Sequence, residues 1–295
     1  MASSTQSSQT SPPVFWLDGK ILDSDLLSQD TEARLGLLLG ISPVVYINAD
    51  PELAVDRVAQ TVQAHVQVLS DAAQTLGYTG FDPALAASQI AAALPGSAQE
   101  GSAQEGSEQD GSEWDRSAQD GSGQQPYLSA ALIPSANSHK AAPPASDWFM
   151  HLAGFTPPRV LSPDSPAGLR VSLASHRRNQ SSAAARLLLS QDTELIAGRV
   201  QSEQTDATLW LNLEGNVACI DQHSVFVRMS NATILTPPLQ DGAIHSACRS
   251  AQIESSGAQE QSLTLADLLG AQSITCLTPW GQTVPVSSLA GREFL

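Results

Sequence analysis

Leu209 to Arg249 reads LWLNLEGNVACIDQHSVFVRMSNATILTPPLQDGAIHSACR. Leu209, Leu211 and Leu213 alternate with Trp210 and Asn212, the period-two pattern of a strand. Glu214-Gly215-Asn216 is a tight-turn signal, and Val217–Ile220 continues as a second strand. Ser224–Met229 is a third β-rich run, and Ser230-Asn231 turns the chain into a fourth, Ala232–Thr236. Pro237-Pro238 then stops strand pairing, because proline has no amide hydrogen to donate. After Gly242, the apolar spacing of Ala243-Ile244, Ala247-Cys248 and Ala251/Ile253 fits a helix. Strands and a helix in this order predict an α+β fold.

Working outward, Leu263–Leu269 reads as a short helix with Thr264 as its cap, and Ser273–Leu277 and Thr283–Val286 as strands around Pro279-Trp280-Gly281. Upstream, Leu169–Leu173 is a strand and Ser181–Ser190 a helix. In the first half, Val14–Leu17 and Ile21-Leu22 flank Asp18-Gly19, a hairpin signal. Val44–Ile47 is a strand. Asp50-Pro51 opens a helix that runs to about Leu76. Its residues Val55, Val58, Val62, Val66, Leu69, Ala73 and Leu76 fall on one core-facing stripe, and Gly77 ends it. A second helix starts at Asp82-Pro83 and covers Leu85, Ala86, Ile90 and Leu94.

Four regions follow. Residues 1–13 are Ser/Gln/Thr/Pro-rich and expected to be disordered. Residues 14–133 form a first α/β domain, 134–160 a linker, and 161–295 a second α/β domain. Inside the first domain, Gly96, Gly101, Gly106 and Gly111 mark a five-residue Gly-Ser-Ala-Gln-Glu repeat, with Arg116 in place of a glycine before Gly121. That composition buries no core, so 96–126 is expected to be a disordered acidic insertion.

With 14 Lys+Arg against 30 Asp+Glu, the net charge is −16, which argues against nucleic acid or an anionic membrane as a partner. The three cysteines, Cys219, Cys248 and Cys276, and the polar first residues predict reduced thiols in a cytoplasmic protein. The only lysines are Lys20 and Lys140, so any Schiff-base chemistry must use one of them.

The 209–249 frame resembles the C-terminal part of fold-type IV (class IV) pyridoxal-phosphate enzymes, the branched-chain and D-amino-acid aminotransferases and 4-amino-4-deoxychorismate lyases. Gly215-Asn-Val217, Ser224-Val-Phe226, Thr236-Pro237 and Ser246–Arg249 follow the family run "G-x-V-x-E … N-x-F … TP … G-I-x-R". Leu263, Leu265, Leu268, Ala271, Thr278 and Pro285-Val286 follow its ending, and His65–Ala73 is similar to its "H-x-x-R-L-x-x-S-A". The resemblance implies a two-domain, D-amino-acid aminotransferase-like architecture, a homodimer, pyridoxal phosphate as cofactor and a small-molecule substrate.

The resemblance also shows which letters differ. The family's Schiff-base lysine in "K-x-x-N" is His176 here, and imidazole forms no stable aldimine. The ring-nitrogen glutamate is Cys219, and the phosphate arginine is Val68. The Gly-Ile cup at the phosphate-binding helix is Ser246-Ala247, while Thr278 and Arg249 match the family. Asp221, two places beyond Cys219, falls on the same face by strand alternation. The sequence thus points to a family member degenerate at its cofactor positions. Alternatives are a divergent aminotransferase or lyase, and a small-molecule or metal-binding regulatory module that uses the vacated pocket. His176, Cys219, His223, His245 and Cys248 would converge on the vacated pocket if the resemblance holds, and His245-Ser-Ala-Cys248 has metal-ligand spacing within a helix, but no CxxC or HExxH signature accompanies them and no dedicated metal site is expected. Asp221, His223 and Ser224 invite a hydrolase reading, but no nucleophile elbow accompanies them. Arg177-Arg178 is a solvated pair or an anion contact.

Overall fold

A computed structural model describes residues 14–17, 20–22, 42–48, 55–78, 80–94, 127–134, 148–155, 168–190, 192, 195 and 205–294. The Asp50-Pro51 helix start, the Gly-Ser-Ala-Gln-Glu repeat, residues 1–13 and Lys140 lie outside them.

The first half is a five-stranded antiparallel sheet in the order β2-β1-β5-β4-β3. Its strands are β1 (Val14–Leu17), β2 (Lys20–Leu22), β3 (Val44–Asn48), β4 (Tyr127–Pro134) and β5 (Trp148–Phe155). Leu17 pairs with Lys20, the register that the Asp-Gly hairpin predicts. β5 falls inside the stretch expected to link the domains; it is the central strand of this sheet, flanked by β1 and β4. Two helices cover one face: α1 (Val55–Leu76) and α2 (Pro83–Ala93). The α1 stripe packs Val62, Val66 and Leu69 against Val45 and Ile47 of β3 and Leu128 and Leu132 of β4. Asp82 caps α2, accepting from the Ala84 amide at 2.9 Å, and Pro83 fits the first turn because its missing donor has no partner there anyway.

The second half holds β6 (Leu169–Leu173), β7 (Ala207–Leu211), β8 (Val217–Ile220), β9 (Ser224–Arg228), β10 (Ile234–Thr236), β11 (Gln259–Glu260), β12 (Ser273–Leu277), β13 (Thr283–Leu289) and β14 (Arg292–Glu293). The order is β11-β10-β9-β12-β13-β6-β7-β8, with β14 beside β13. A bridge between Ile220 and His223 brings β8 back to β9, so the sheet curls around an apolar interior that includes Leu209, Ile220, Val227, Leu263 and Cys276. Helix α3 (Ala247–Ser256) packs Cys248 and Ile253 with Phe226 and Leu277 in a separate cluster, while Leu268 of the short helix α4 (Leu265–Gly270) belongs to the interior one. A reciprocal Thr264–Asp267 capping box starts α4, as Thr264 in the sequence anticipates.

Two expected helices are corrected. Ser181–Ser190 makes only one 3-10 turn, Ala183–Arg186. Leu187–Ser190 is drawn out instead, because Val44 donates to Leu188 O and Ser190 to Ser42 O, both at 2.9 Å. α3 starts at Ala247 rather than Ala243. Ser246, extended at φ −147, accepts from the Arg249 amide and fixes the first turn there.

The strip 42–44 also accepts at Pro43 O from the Leu132 amide, and Pro43 bridges Leu189. It therefore ties the open edge of the first sheet to the second half. Alternation along β3 completes the join: Val45 and Ile47 face the helices, while Val44 and Tyr46 face the second half.

Candidate functional site

The site positions implied by the family gather along this join. Cys219 lies on β8 directly opposite Trp210 on β7, and opposed residues project from the same face of a sheet. That face turns away from the barrel interior and meets the first half. Trp210, Cys219, Ala218 and Ile244 share one apolar cluster with Val44 and Ala131 of the first sheet, and with Leu188 and Leu195. Cys219 has no exposed surface, and Trp210 is 1% exposed. The indole Nε1 of Trp210 has no hydrogen-bond partner. Tyr46 packs against the same cluster and meets Trp280 edge-on at 5.7 Å between ring centroids.

Val68, at the arginine position, is buried among the core residues of α1 and the first sheet. It also lines a crevice with Pro43, Val44, Leu69, Leu188 and His245, whose volume is ≈ 10 Å³, room for no more than about one water. Ala247 packs against the Val68 cluster. The Ser246 hydroxyl accepts from the Arg249 amide at 3.1 Å, so its lone pair serves as the helix cap. Thr278 is fully buried and accepts at Oγ1 from the Gln282 amide at 2.9 Å. Its turn continues through Gly281 at φ +92, where an added Cβ would come within 3.4 Å of Cys248 Sγ. The Thr278 turn therefore lies against the start of α3. Val68, Cys219, Ser246, Ala247 and Thr278 thus sit around one region.

His176 is exposed, with Nδ1 3.0 Å from Ser175 Oγ, on a segment whose Ala174 and Arg178 amides donate to Leu209 O and Leu211 O on either side of Trp210. Two places on, Arg178 is not solvated as the Arg-Arg pair suggests. It is 1% exposed, pairs through Nη2 with Asp192 at 3.0 Å, and donates to Ala185 O. Its partner lies 14 residues away in sequence, which no local pattern signals. Arg249 holds structure as well. Its Nη2 donates at 2.7 Å to both Pro237 O and Glu260, anchoring α3 to β11 and the double-proline corner.

Asp221 does not continue the β8 face. The strand ends at Ile220, and Asp221 takes a left-handed φ of 47; its amide donates to Thr208 O at 2.8 Å and its carboxylate Oδ1 accepts from the Thr208 amide at 3.3 Å. His223 is buried edge-on to Trp280 at 5.8 Å, so Asp221, His223 and Ser224 belong to the strand corner. Burial pushes the Cys248 thiol up to about 11 against a smaller opposing contribution from its own amide, which keeps it protonated at neutral pH. Burial also lowers the His245 pKa; Asp71, 3.8 Å away, works against this and Arg249 adds to it. Among the described residues no three His, Cys, Asp or Glu side chains come close enough to hold a metal ion.

Pyridoxal phosphate needs an amine, an anionic partner for its ring nitrogen and cationic support for its phosphate. The positions that the resemblance assigns to these roles present an exposed imidazole at His176, a buried thiol opposite an indole at Cys219, and a valine at Val68. These residues do not fit the group.

The sequence matches no family model and no curated protein. Solved structures match the fold over nearly its whole length. The branched-chain aminotransferase from Thermoproteus uzoniensis, solved with norvaline, is 15% identical with a TM-score of 0.65, over 96% of this chain and 89% of that one. A hypothetical aminotransferase from Mycobacterium tuberculosis in its apo form is 16% identical at TM-score 0.68, over 96% and 93%. Its pyridoxal-phosphate-bound form is 15% identical at 0.65, over the same shares. No helix of the described residues is long and apolar enough to cross a membrane. The chain has the α+β fold of the fold-type IV pyridoxal-phosphate aminotransferases.

Proposed function

We propose that this chain is a fold-type IV aminotransferase-like protein that has given up Schiff-base catalysis and works by noncovalent binding or assembly, as a cytoplasmic homodimer. The observation that carries the reading is the apolar cluster around Cys219. Trp210, Leu188, Ile244 and Val44 stand with it where the chemistry needs a carboxylate facing a ring nitrogen. Val68 at the arginine position and His176 at the lysine position agree with it.

Purified protein mixed with pyridoxal phosphate should develop no protein-bound aldimine absorbance, and borohydride followed by peptide mass spectrometry should find no stoichiometric adduct. A reducible band with label on Lys140 or Lys20 would overturn the reading. Sedimentation velocity of the full chain should give the mass of two copies; a monomer at micromolar concentration would refute the dimer.

A further inference from the structure

We propose that Trp210 is a built-in plug: its indole occupies the space between the two halves that a cofactor ring beside position 219 would need, so that this space is core and not cleft. The proposal rests on the Cys219 assignment above, but not on the absence of a reactive lysine.

The β7–β8 register fixes Trp210 across from Cys219 on the face that meets the first sheet. The cluster on that face is built from both halves at once, with Val44 and Ala131 on one side and Trp210, Cys219 and Ile244 on the other. One buried apolar cluster drawn from both sides spans the boundary between them. Tryptophan is the largest side chain available, able to bury on the order of 200 Å². Its Nε1–H finds no acceptor and no path to solvent. In a wet cleft the same N–H would meet water, and buried indoles ordinarily find a partner. An unmet donor here means that the ring sits in dry apolar surroundings and contributes volume rather than polarity. Tyr46 and Trp280 extend the filling toward β9 and the Thr278 turn. The main-chain ties of 42–44 to 188–190 hold the two walls at contact distance. An adjoining crevice, lined in part by Val44 and Leu188 of the same cluster, has a volume of ≈ 10 Å³.

Two measurements on the full chain test the plug. Pyridoxine 5′-phosphate has no aldehyde, so it probes the space without imine chemistry. Calorimetric titration of wild-type protein to millimolar probe should show no saturable binding and no rise in Tm. Saturable binding accompanied by a change in Trp210 emission, absent in Trp210→Phe, would overturn the proposal. Trp210→Ala should lower Tm by about 10 °C, and free indole should raise it again while leaving wild type unchanged, as expected of a dry apolar void. An alanine variant that melts like wild type would also overturn it. If Trp210→Ala does not fold, Trp210→Phe carries the test: its smaller void should give an intermediate Tm that rises with benzene, and a wild-type Tm would refute the plug. A borohydride-trapped lysine adduct would sink the preceding reading alone, because the pyridoxine probe is blind to it.

Discussion

A glutamate at position 219 would stand among Trp210, Ala218 and Ile244 with no exposed surface. Cys219→Glu, which restores the family letter, should therefore destabilise the protein by about 3 kcal/mol or more. Burial raises such a carboxyl above its unfolded value. The loss relative to wild type should then be smallest at pH below about 4 and grow as pH rises and the unfolded chain ionises. Urea melts of the variant at pH 4 and pH 7 check this, and equal losses at both would contradict it. Trp210→Ala should cost about 3–5 kcal/mol; Trp210→Phe should cost less, since it also removes the unmet N–H. The replacement at 219 is legible in the sequence because it occupies one place in a spaced motif. The partner at 210 is not. Alternation assigns Trp210 a face, but only the β7–β8 register and the approach of the first sheet reveal what that face meets. Arg178 was hidden in the same way, its acid lying in a separate segment.

Elements with local signals were the readable ones. Helix α1 follows from its seven-residue apolar stripe and the glycine that ends it, and α4 from Thr264. Thr264→Ala should cost about 1 kcal/mol, measured by thermal melts against wild type. Ser181–Ser190 misled because a run of alanine and leucine suits a helix by propensity. Backbone pairing with Ser42 and Val44 draws its end out instead, a tertiary override. Helix α1 also carries a pH liability. His65 is buried, and burial lowers its pKa from 6.5 to about 4. The unfolded chain therefore takes up this proton first. The contribution is intact above about pH 6.5 and is lost as pH falls toward 4, amounting to about 3 kcal/mol at the acid end. His65→Gln should flatten the pH dependence of urea stability between pH 7 and 4; an unchanged slope would rule His65 out as its source.

At the scale of the molecule, the two sheets have separate cores but a shared third cluster and a shared backbone seam. Unfolding should therefore be a single transition. Far-UV circular dichroism and hydrogen exchange at β4 and at β9 should lose structure at the same denaturant concentration. The seam has a further consequence. The strip 42–44 precedes α1 in the chain, yet its partners at 188–190 come after every strand of the first sheet. The first sheet thus cannot finish its outer edge until the second half has been synthesised. Separately produced fragments 1–160 and 161–295 should each expose an apolar half-interface and aggregate, and should become soluble when co-expressed. Such complementation would make the seam a reporter of assembly, one that Trp210→Ala should weaken.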